Sequence, residues 1–559
     1  MAQIITSQLP ALVSPPPSGN AYEWLASNPK KAAPTSPSLY RLDGKVTTRA
    51  EVEKIAGQVA SFVRDTLGLT DGDRIAIVSP NTTMFQPTFL GLLRAGITAV
   101  PLNPIYSPDE LVHPLADSDI SAALVHPVSL PAVQAAWERA GRKTKTRNGA
   151  PAIWIVNDTD KIEAAKSGER DIRTVLDKEH PIVKISDPAD REAVIVYSSG
   201  TSGKPKGVQL THGNLVAGTD TIIKSDPSDI NDAAVAIGVL PMFHIFGLNL
   251  LLMTAFLTAM PVVVVPRFDI EIFCAAIQRF RVTMGLVVPP MLLLLSRSPV
   301  VDKYDLSSFR SAICGAAPLS AELGDEVEKR LPNLRVTQGY GLSETAPVLT
   351  ITPSKDYRKV RGSCGTTAAG VEIRLVDEEH GDVGHQQGKE GRRGEVWARG
   401  PIIMKGYLNN REATDDCITP DGWFKTGDIA ICRDGYFYIV DRKKELIKYK
   451  GFQVPPAELE ALLLTHPRVF DTAVIGVHSK EQATELPRAY CVPRDFVPSK
   501  ADKAQIEAFQ KEVEAWVAER VANHKRLRGG VIAIDQVPKS ASGKILRRLL
   551  RDEANREQS

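Results

Sequence analysis

A segment rich in glycine and hydroxyl side chains, SSGTSGKPKG at residues 198–207, directly follows the strand-like sequence AVIVY. The glycines leave backbone N–H groups accessible and the hydroxyls add donors, so the segment can form a concave nest for a polyphosphate, with Lys206 as the counter-charge. A flexible Gly/Ser linker is the alternative, but a linker does not normally follow a buried strand directly. The spacing also differs from the GxxxxGK[ST] of P-loop proteins. The segment therefore predicts phosphate binding of another type.

Four more segments follow in order: QGYGLSET at residues 338–345, WFKTGD at 423–428, DRKKELIKYKG at 441–451 and PKSASGKILRR at 538–548. With the first, they resemble the motifs of the adenylate-forming enzymes, a superfamily of acyl- and aryl-CoA synthetases, luciferases and peptide-synthetase adenylation domains. Through PMFHIFGL, QGYGLSE and ELIKYKGFQVPPAELE, the chain is most similar to 4-coumarate–CoA ligases. The resemblance extends from residue 197 to residue 548, and five motifs in one order exclude chance.

The resemblance implies an acid–thiol ligase that uses ATP, Mg²⁺ and CoA on a small-molecule carboxylic acid. AMP is first transferred to the carboxylate, which gives a mixed anhydride and pyrophosphate. A thiol then displaces AMP. The site must first bring two anions together, which calls for fixed positive charge and oriented donors more than for a covalent nucleophile.

The same resemblance assigns the nucleotide site and the metal. Each assignment has a plainer alternative: Asp428 could cap a turn, Glu344 could cap a helix, and Lys544 could belong to a basic tail. The implied contacts are Ser198, Ser199, Gly200, Thr201, Ser202 and Lys206 for the β- and γ-phosphates, Gln338, Gly339 and Tyr340 for adenine, Ser343 for the α-phosphate, Glu344 for Mg²⁺, Asp428 with Arg442 for ribose, and Lys544 as a bridge between the carboxylate and the phosphate oxygens.

A second set of residues is implied for thioester formation. In related enzymes the C-terminal domain rotates between the two reactions, and Lys444 occupies the pivot position. The rotation would withdraw Lys544 and bring in a segment in which Lys448 contacts the adenylate and Gln453 lies beside it. Lys450, Gly451 and Arg267 would contact CoA. The alternative for residues 443–450 is a solvated basic loop.

The acyl pocket is assigned by analogy as well. His244 would border it and gate thiol entry, although a lone histidine among apolar residues is often a satisfied core residue. Phe246 stands where coumarate ligases often have tyrosine, and Leu250 adds bulk where those ligases commonly have a small residue. A less polar aryl acid or a medium-chain fatty acid therefore fits the pocket as well as 4-hydroxycinnamate does. The implied lining is His244, Ile245, Phe246, Leu250, Ile313, Ala316, Gly341, Val348 and Leu349.

The elements that must position these residues alternate between strand and helix patterns from about Thr47, which predicts parallel sheets with helices on their faces. From about Gly365, short strands joined by turns predict a small β-rich subdomain. A charged junction at residues 441–444 is followed by an α+β tail. We therefore expect an α/β protein: a large domain, residues 1–441, with two βα-layered subdomains and the β-rich one, and a small mobile domain, residues 442–559, that carries Lys544.

Bulk properties restrict the remaining possibilities. A chain of 559 residues is too long for one core, and a net charge of +2 gives no electrostatic case for nucleic acid. Six cysteines without a CxxC pair argue against a thiolate zinc site and fit a reducing compartment. The N-terminus is not a secretory signal and the C-terminus is not a Ser-Lys-Leu type signal, so we expect a cytoplasmic protein. The uncharged stretch 245–266 predicts a buried helix and a buried strand, divided by Pro261, and not a membrane span.

Three other functions compete with CoA ligation. A stand-alone adenylation enzyme would load a carrier protein, but no carrier follows Lys544, which favours free CoA. Luciferase-like oxidation of the adenylate requires a particular substrate that these motifs do not reveal. A non-catalytic nucleotide-binding scaffold would be expected to have lost Lys544, Glu344 or the glycines, and all are present.

Overall fold

The computed structural model describes most of the chain. The described residues are 4–7, 9, 19–27, 32–160, 169–198, 204–226, 228–377, 381–383, 393–450, 452–479, 482, 484–540 and 543–558.

The first large sheet is parallel except at one edge. In spatial order its strands are Gly406–Tyr407, Lys206–Thr211, Glu192–Ser198, Thr98–Leu102, Arg74–Val78, Ala122–Val125 and Ile153–Ile155. Glu192–Ser198 and Lys206–Thr211 pair antiparallel, because the few residues between them are too short for a crossover helix. The phosphate segment therefore connects two strands that pair with each other.

The second large sheet lies beside the first and contains the strands that end at the predicted site. Its central strands are parallel and buried on both faces, as the near-continuous apolar runs predict. In spatial order the strands are Thr366–Thr367, Thr350–Ile351, Arg335–Tyr340, Ser311–Cys314, Met284–Val287, Ala236–Gly238, Val262–Val264, Pro37–Tyr40 and Val46–Thr48.

Helices cover the faces of both sheets, and short 3₁₀ turns connect several of them. One of them, Arg49–Ser61, begins with a capping box at Thr48 and buries Val52 and Val59, as its apolar periodicity predicts. The helices of this large domain are Ala21–Ala26, Arg49–Ser61, Phe85–Arg94, Pro108–Asp117, Leu130–Arg139, His212–Ser225, Ile270–Phe280, Pro289–Arg297, Ala321–Arg330 and Arg411–Cys417.

The uncharged stretch 245–266 folds as predicted, into buried helical turns and a buried strand. The turns are Ile245–Gly247, Leu248–Thr254 and Ala255–Thr258, and Val262–Val264 follows as a strand. Asn249 within it is fully buried and donates from its amide to the carbonyl of Ala346 at 3.1 Å. Nowhere in the described ranges is there a helix with both the length and the apolar character needed to cross a membrane.

The remainder of the chain forms the predicted β-rich and α+β parts. An antiparallel sheet contains, in order, Ile5–Thr6, Glu372–Asp377, Gly394–Arg399, Phe424–Arg433 and Tyr436–Arg442, with Gly381–Asp382 paired to Glu372–Asp377. The C-terminal part contains a hairpin, Ile447–Tyr449 with Phe452–Val454, a sheet of Val469–Ser479, Thr484–Pro493 and Val531–Ala533, and the helices Pro456–Leu464, Lys503–Ala518 and Arg547–Gln558. The predicted α/β fold with a large N-terminal and a small C-terminal domain is thus confirmed.

All six cysteines are free thiols, and five of them are buried. Burial raises the pKa of each: to about 11 for Cys417 and Cys432, to about 12 for Cys274, Cys364 and Cys491, and further for Cys314.

Candidate active site

The predicted site residues gather at the carboxyl ends of the parallel strands in the second large sheet. Tyr340 ends one strand and Cys314 ends its neighbour. A ligand crevice is expected at this edge of an open α/β sheet. The small domain reaches the same edge: a Cβ on Gly543 would lie 3.0 Å from Cγ2 of Val288, directly after the strand Met284–Val287. The close approach and a φ of +79° both require glycine there, next to Lys544.

The ribose and adenine motifs are joined by a buried carboxylate. Asp428 accepts a hydrogen bond from the hydroxyl of Tyr340 at 2.8 Å, and Nε of Arg442 lies 3.5 Å from its other oxygen. Asp428 and Arg442 are cross-strand partners, which fixes this pairing. Burial raises the pKa of Asp428, while Arg442 and Tyr340 oppose that rise. The structure thus brings together three residues that the sequence assigned to the nucleoside.

Lys544 lies between the nucleotide side and the acyl side of the site. Burial, and then the charge of Arg442, lower the pKa of its ammonium, while Glu344 and Asp428 raise it. On the other side, burial and then the charge of Lys544 lower the pKa of His244 to about 3. The imidazole of His244 is therefore neutral near pH 7. Its Nδ1 accepts the backbone N–H of Phe246 at 3.4 Å, at the start of the helical stretch.

The loop that carries Lys544 is held in place by its own hydrogen bonds and by the following helix. The backbone N–H of Lys544 donates to Oγ of Ser540 at 3.2 Å. Arg547 forms a two-pronged contact with Glu460, at 2.8 and 2.7 Å, across the small domain. Both contacts restrict the position of the ammonium relative to the rest of the domain.

Glu344 is the predicted metal ligand, and its surroundings fit Mg²⁺. It is only 8% exposed, in the turn Ser343–Thr345, and Oε1 accepts the hydroxyl of Tyr407 at 2.9 Å. Across the residues with described positions there is no cluster of three His, Cys, Asp or Glu side chains suited to a metal. Mg²⁺ commonly takes one or two carboxylates and completes its shell with substrate phosphates and water. Glu344 can supply that single carboxylate.

The phosphate segment is held at both ends. Ser198 ends one hairpin strand and pairs with Lys206, which begins the next. The carbonyl of Pro205 contacts Nε2 of His113 at 2.9 Å. Ser199, Gly200, Thr201 and Ser202, like Gly451 in the hinge region, lie outside the described residues.

Gln338 differs from its assignment in one respect. Its amide is already occupied: Oε1 accepts the N–H of Leu319 at 2.9 Å, and Nε2 donates to the carbonyls of Leu319 and Ser363. A contact from Gln338 or Gly339 to adenine would therefore come from the backbone of their strand, while the predicted role itself stays a prediction.

Most of the residues predicted to line the acyl pocket are closed to solvent. Phe246 packs against Gly315, where a Cβ would lie 3.0 Å from Cε1 of the ring. Gly341 lies against the carbonyl of Pro347, where a Cβ would be only 1.8 Å from the oxygen, so no larger residue fits. Phe246 and Ala316 are partly exposed, whereas the buried members are Ile245, Leu250, Ile313, Val348 and Leu349.

The residues assigned to the second reaction are not part of this constellation. Lys448 and Gln453 are exposed partners on one face of the short hairpin, and Lys450 is exposed at its turn. Lys444 is exposed in the connection before the hairpin, and Arg267 is exposed after the strand Val262–Val264. The small domain thus presents Lys544, and not Lys448, to the crevice.

Tyr407 is the residue that sequence reasoning missed. It contacts Glu344, and Nζ of Lys206 lies 4.7 Å from the centroid of its ring. The local sequence KGYL contains no pattern that indicates a functional residue. The role of Tyr407 follows only from the pairing of the strand Gly406–Tyr407 with Lys206–Thr211.

Comparison with known proteins agrees with the family that the motifs resemble. The sequence profile of the AMP-binding enzyme family matches residues 22–408, and that of the AMP-binding enzyme C-terminal domain matches residues 458–544. A probable 4-coumarate–CoA ligase of Dictyostelium discoideum is 39% identical over 503 residues, covering 87% of this chain and 86% of its own. 4-Coumarate–CoA ligase 1 of Petroselinum crispum is 37% identical, covering 91% and 89%.

Among solved structures, ATP-bound MatB from Rhodopseudomonas palustris has a TM-score of 0.81 at 26% identity, covering 97% of this chain and 100% of its own. The apo form of that same enzyme gives 0.71 with the same coverage. The structure as a whole is therefore more similar to the ATP-bound form. With the family profiles and these relatives matching nearly the whole chain, the protein belongs to the AMP-binding enzyme family, in the branch of AMP-forming acid–CoA ligases.

Proposed function

We propose that the protein activates a hydrophobic carboxylic acid, either an aryl or cinnamate-like acid or a medium-chain fatty acid, and transfers it to free CoA. The observation that carries this proposal is the place of Lys544, whose charge acts on Asp428 and Glu344 on one side and on His244 on the other. A cation there can bridge the carboxylate of the acid and the α-phosphate of ATP.

The first reaction follows from these charges. An oxygen of the substrate carboxylate attacks the α-phosphorus, the bond to the β-phosphate oxygen breaks, and pyrophosphate leaves. Lys206 and the phosphate segment hold the departing pyrophosphate, and Lys544 with Arg442 offsets the repulsion between the two anions. Glu344 would hold Mg²⁺, which would supply positive charge to the phosphates. Asp428 orients the ribose, and the neutral His244 borders the acid without adding charge.

The second reaction requires the other face of the small domain. The strand Tyr436–Arg442 is part of the β-rich sheet, and the N–H of Lys443 still donates to the carbonyl of Gly427 at 2.8 Å. Lys444 is the first exposed residue after that contact, so a hinge there would lie just beyond the predicted boundary between residues 1–441 and 442–559. Rotation about it would replace Lys544 by Lys448 and Gln453, and Lys450, Gly451 and Arg267 would receive CoA.

The relatives suggest the class of acid that is the substrate, and Phe246 restricts which acids of that class fit well. Several matched relatives are 4-coumarate–CoA ligases. Phe246 offers no partner for a phenol hydroxyl, and a buried hydroxyl without a partner costs about 1–3 kcal/mol. We therefore favour an acid without a para-hydroxyl group. The free thiols also fit a reducing, cytoplasmic location.

A pyrophosphate-release screen tests the proposal. Cinnamic, 4-hydroxycinnamic, benzoic, phenylacetic and C4–C12 fatty acids are supplied with ATP and Mg²⁺, and the products are identified by mass spectrometry with CoA or with a phosphopantetheinyl carrier protein. We expect release with at least one apolar acid and an acyl-CoA product.

Three outcomes would contradict parts of the proposal. Acylation of the carrier but not of CoA would identify a carrier-loading enzyme. Oxygen uptake or light would identify an oxidase of the adenylate. If none of the acids gave pyrophosphate release, the protein would be a nucleotide-binding scaffold.

A further inference from the structure

Tyr407 links the two protein charges at the triphosphate end of the site. Its hydroxyl donates to Oε1 of Glu344 at 2.9 Å, and Nζ of Lys206 lies 4.7 Å from the centroid of its ring. One side chain thus contacts both the predicted metal ligand and the predicted phosphate ligand, through different chemistry.

The backbone fixes Tyr407 relative to both partners. The N–H of the adjacent Leu408 donates to the carbonyl of Gly207 at 2.8 Å, next to Lys206. The N–H of Met404 donates to the carbonyl of Glu344 at 2.9 Å. The segment that carries Tyr407 is therefore attached to the strand of the lysine and to the turn of the glutamate, which fixes its backbone relative to both.

The two charges are opposite, yet within the part of the chain that the structure describes neither forms an ion pair. A phenol hydroxyl donates to one carboxylate oxygen and leaves the other oxygen free to accept a cation. The face of an aromatic ring attracts an ammonium without neutralising its charge. Tyr407 therefore engages both groups without neutralising either. A direct ion pair between Lys206 and Glu344 would make both less available to ATP and Mg²⁺.

We propose that Tyr407 is a positioning residue that keeps Glu344 oriented for Mg²⁺ and Lys206 available for the triphosphate. This inference rests on the proposed function of the site as an ATP–Mg²⁺ site, but not on the identity of the acid. It distinguishes two contributions of one side chain: the hydroxyl acts on the metal, and the ring acts on the nucleotide.

Two variants separate these contributions. Tyr407→Phe removes the hydroxyl and keeps the ring, whereas Tyr407→Leu removes both. The dissociation constant of ATP is measured by calorimetry across a Mg²⁺ titration and in EDTA. Outer-shell partners of a metal site are worth about 10–100-fold in metal affinity. For Tyr407→Phe we expect about 10-fold more Mg²⁺ at half-maximal effect, with ATP binding in EDTA unchanged within about 2-fold.

For Tyr407→Leu we expect the same loss of Mg²⁺ response and, in addition, weaker ATP binding in EDTA, by about 5-fold, because Lys206 can then pair with Glu344. Tyr304→Phe is the matched control. Its hydroxyl also donates to a glutamate, Oε1 of Glu271 at 3.2 Å, on elements outside the site. This control should bind ATP and Mg²⁺ as the wild type does.

A Glu344→Gln background tests the route of the effect. If the hydroxyl acts through the carboxylate, Tyr407→Phe adds no further loss of Mg²⁺ response in that background. Independent, multiplicative losses would overturn the proposal, and so would an unchanged Mg²⁺ response in a Tyr407→Phe variant with the melting temperature of the wild type.

The ATP titrations need no acid, so they judge Tyr407 separately from the proposed function. A wild-type protein that binds ATP with Mg²⁺ but releases no pyrophosphate with any acid contradicts the ligase proposal alone.

Discussion

Replacing Lys544 by methionine should separate the two half-reactions. Methionine keeps most of the length of the side chain and removes its charge. The small-domain loop packs through Gly543 on Val288, and Arg547 with Glu460 anchors the following helix, so the loop itself should remain in place. The change therefore removes a cation and leaves its surroundings intact.

The size of the effect follows from those surroundings. Loss of one preorganised hydrogen-bond donor at a developing charge costs about 10²–10³-fold in rate. The Lys544 donor is charged, and its loss leaves Asp428 and Glu344 with less positive charge opposite two incoming anions. We therefore expect the upper end, about 10³-fold, or about 4 kcal/mol, in pyrophosphate release.

The assay measures each half-reaction alone. Single-turnover pyrophosphate release reports adenylation, and thioester formation from a supplied acyl-adenylate and CoA reports the second step. The second step should change by less than about 3-fold, because Lys448 and its hairpin would then occupy the crevice. Lys511→Met, an exposed lysine on the helix Lys503–Ala518, is the matched control and should change neither rate. Equal losses in both half-reactions, or no loss in adenylation, would refute the division of labour.

Three further predictions follow from the same site. Lys448→Ala should show the opposite pattern, with thioester formation from supplied adenylate reduced by about 10²-fold and adenylation nearly unchanged; a larger loss in adenylation would contradict the hinge proposal. Adenylation needs the charged form of Lys544, whose pKa is lowered from 10.5, so the rate should fall as the pH rises through a value below 10.5. In Arg442→Met this fall in rate should occur at higher pH, because Arg442 is the main charge that lowers the pKa of Lys544. A pH–rate profile that does not move would contradict the assignment of this fall to Lys544. Phe246→Tyr should raise the preference, in kcat/KM, for 4-hydroxycinnamate over cinnamate by about 5–150-fold, since it offers the phenol a partner worth about 1–3 kcal/mol; unchanged preference would place the para position elsewhere.

The sequence predicts the architecture well where a local pattern carries it. Apolar runs predict the buried strands Met284–Val287 and Ser311–Cys314, and the interruption of the stretch 245–266 by Asn249 and Pro261 correctly predicts a buried helix and strand. The antiparallel strand that begins at Lys206 is not visible in the same way, because βα alternation predicts a crossover and only the shortness of the intervening segment prevents one.

The site is predicted to the extent that its residues lie in motifs. The motifs indicate that Asp428, Arg442 and Tyr340 belong to one nucleotide site, but they cannot show that Tyr340 donates to Asp428, since the two come from different sheets. Tyr407 is missed for a related reason: its role depends on the pairing of two strands that are about 200 residues apart in the sequence. Spacing within a segment cannot reveal such a contact.

The protonation of the cysteine thiols affects whether an acyl-adenylate would react with the protein itself. An acyl-adenylate is an acylating agent, and a thiolate is the form of cysteine that would react with it. Cys314 lies directly before Gly315, against which Phe246 packs, so a thiol stands close to a residue predicted to line the acyl pocket. Because burial raises the pKa of Cys314 well above that of a free thiol, its sulfur stays protonated at neutral pH. A protonated thiol is a poor nucleophile, so we expect Cys314 not to compete for an acyl-adenylate with a thiol that arrives from solution.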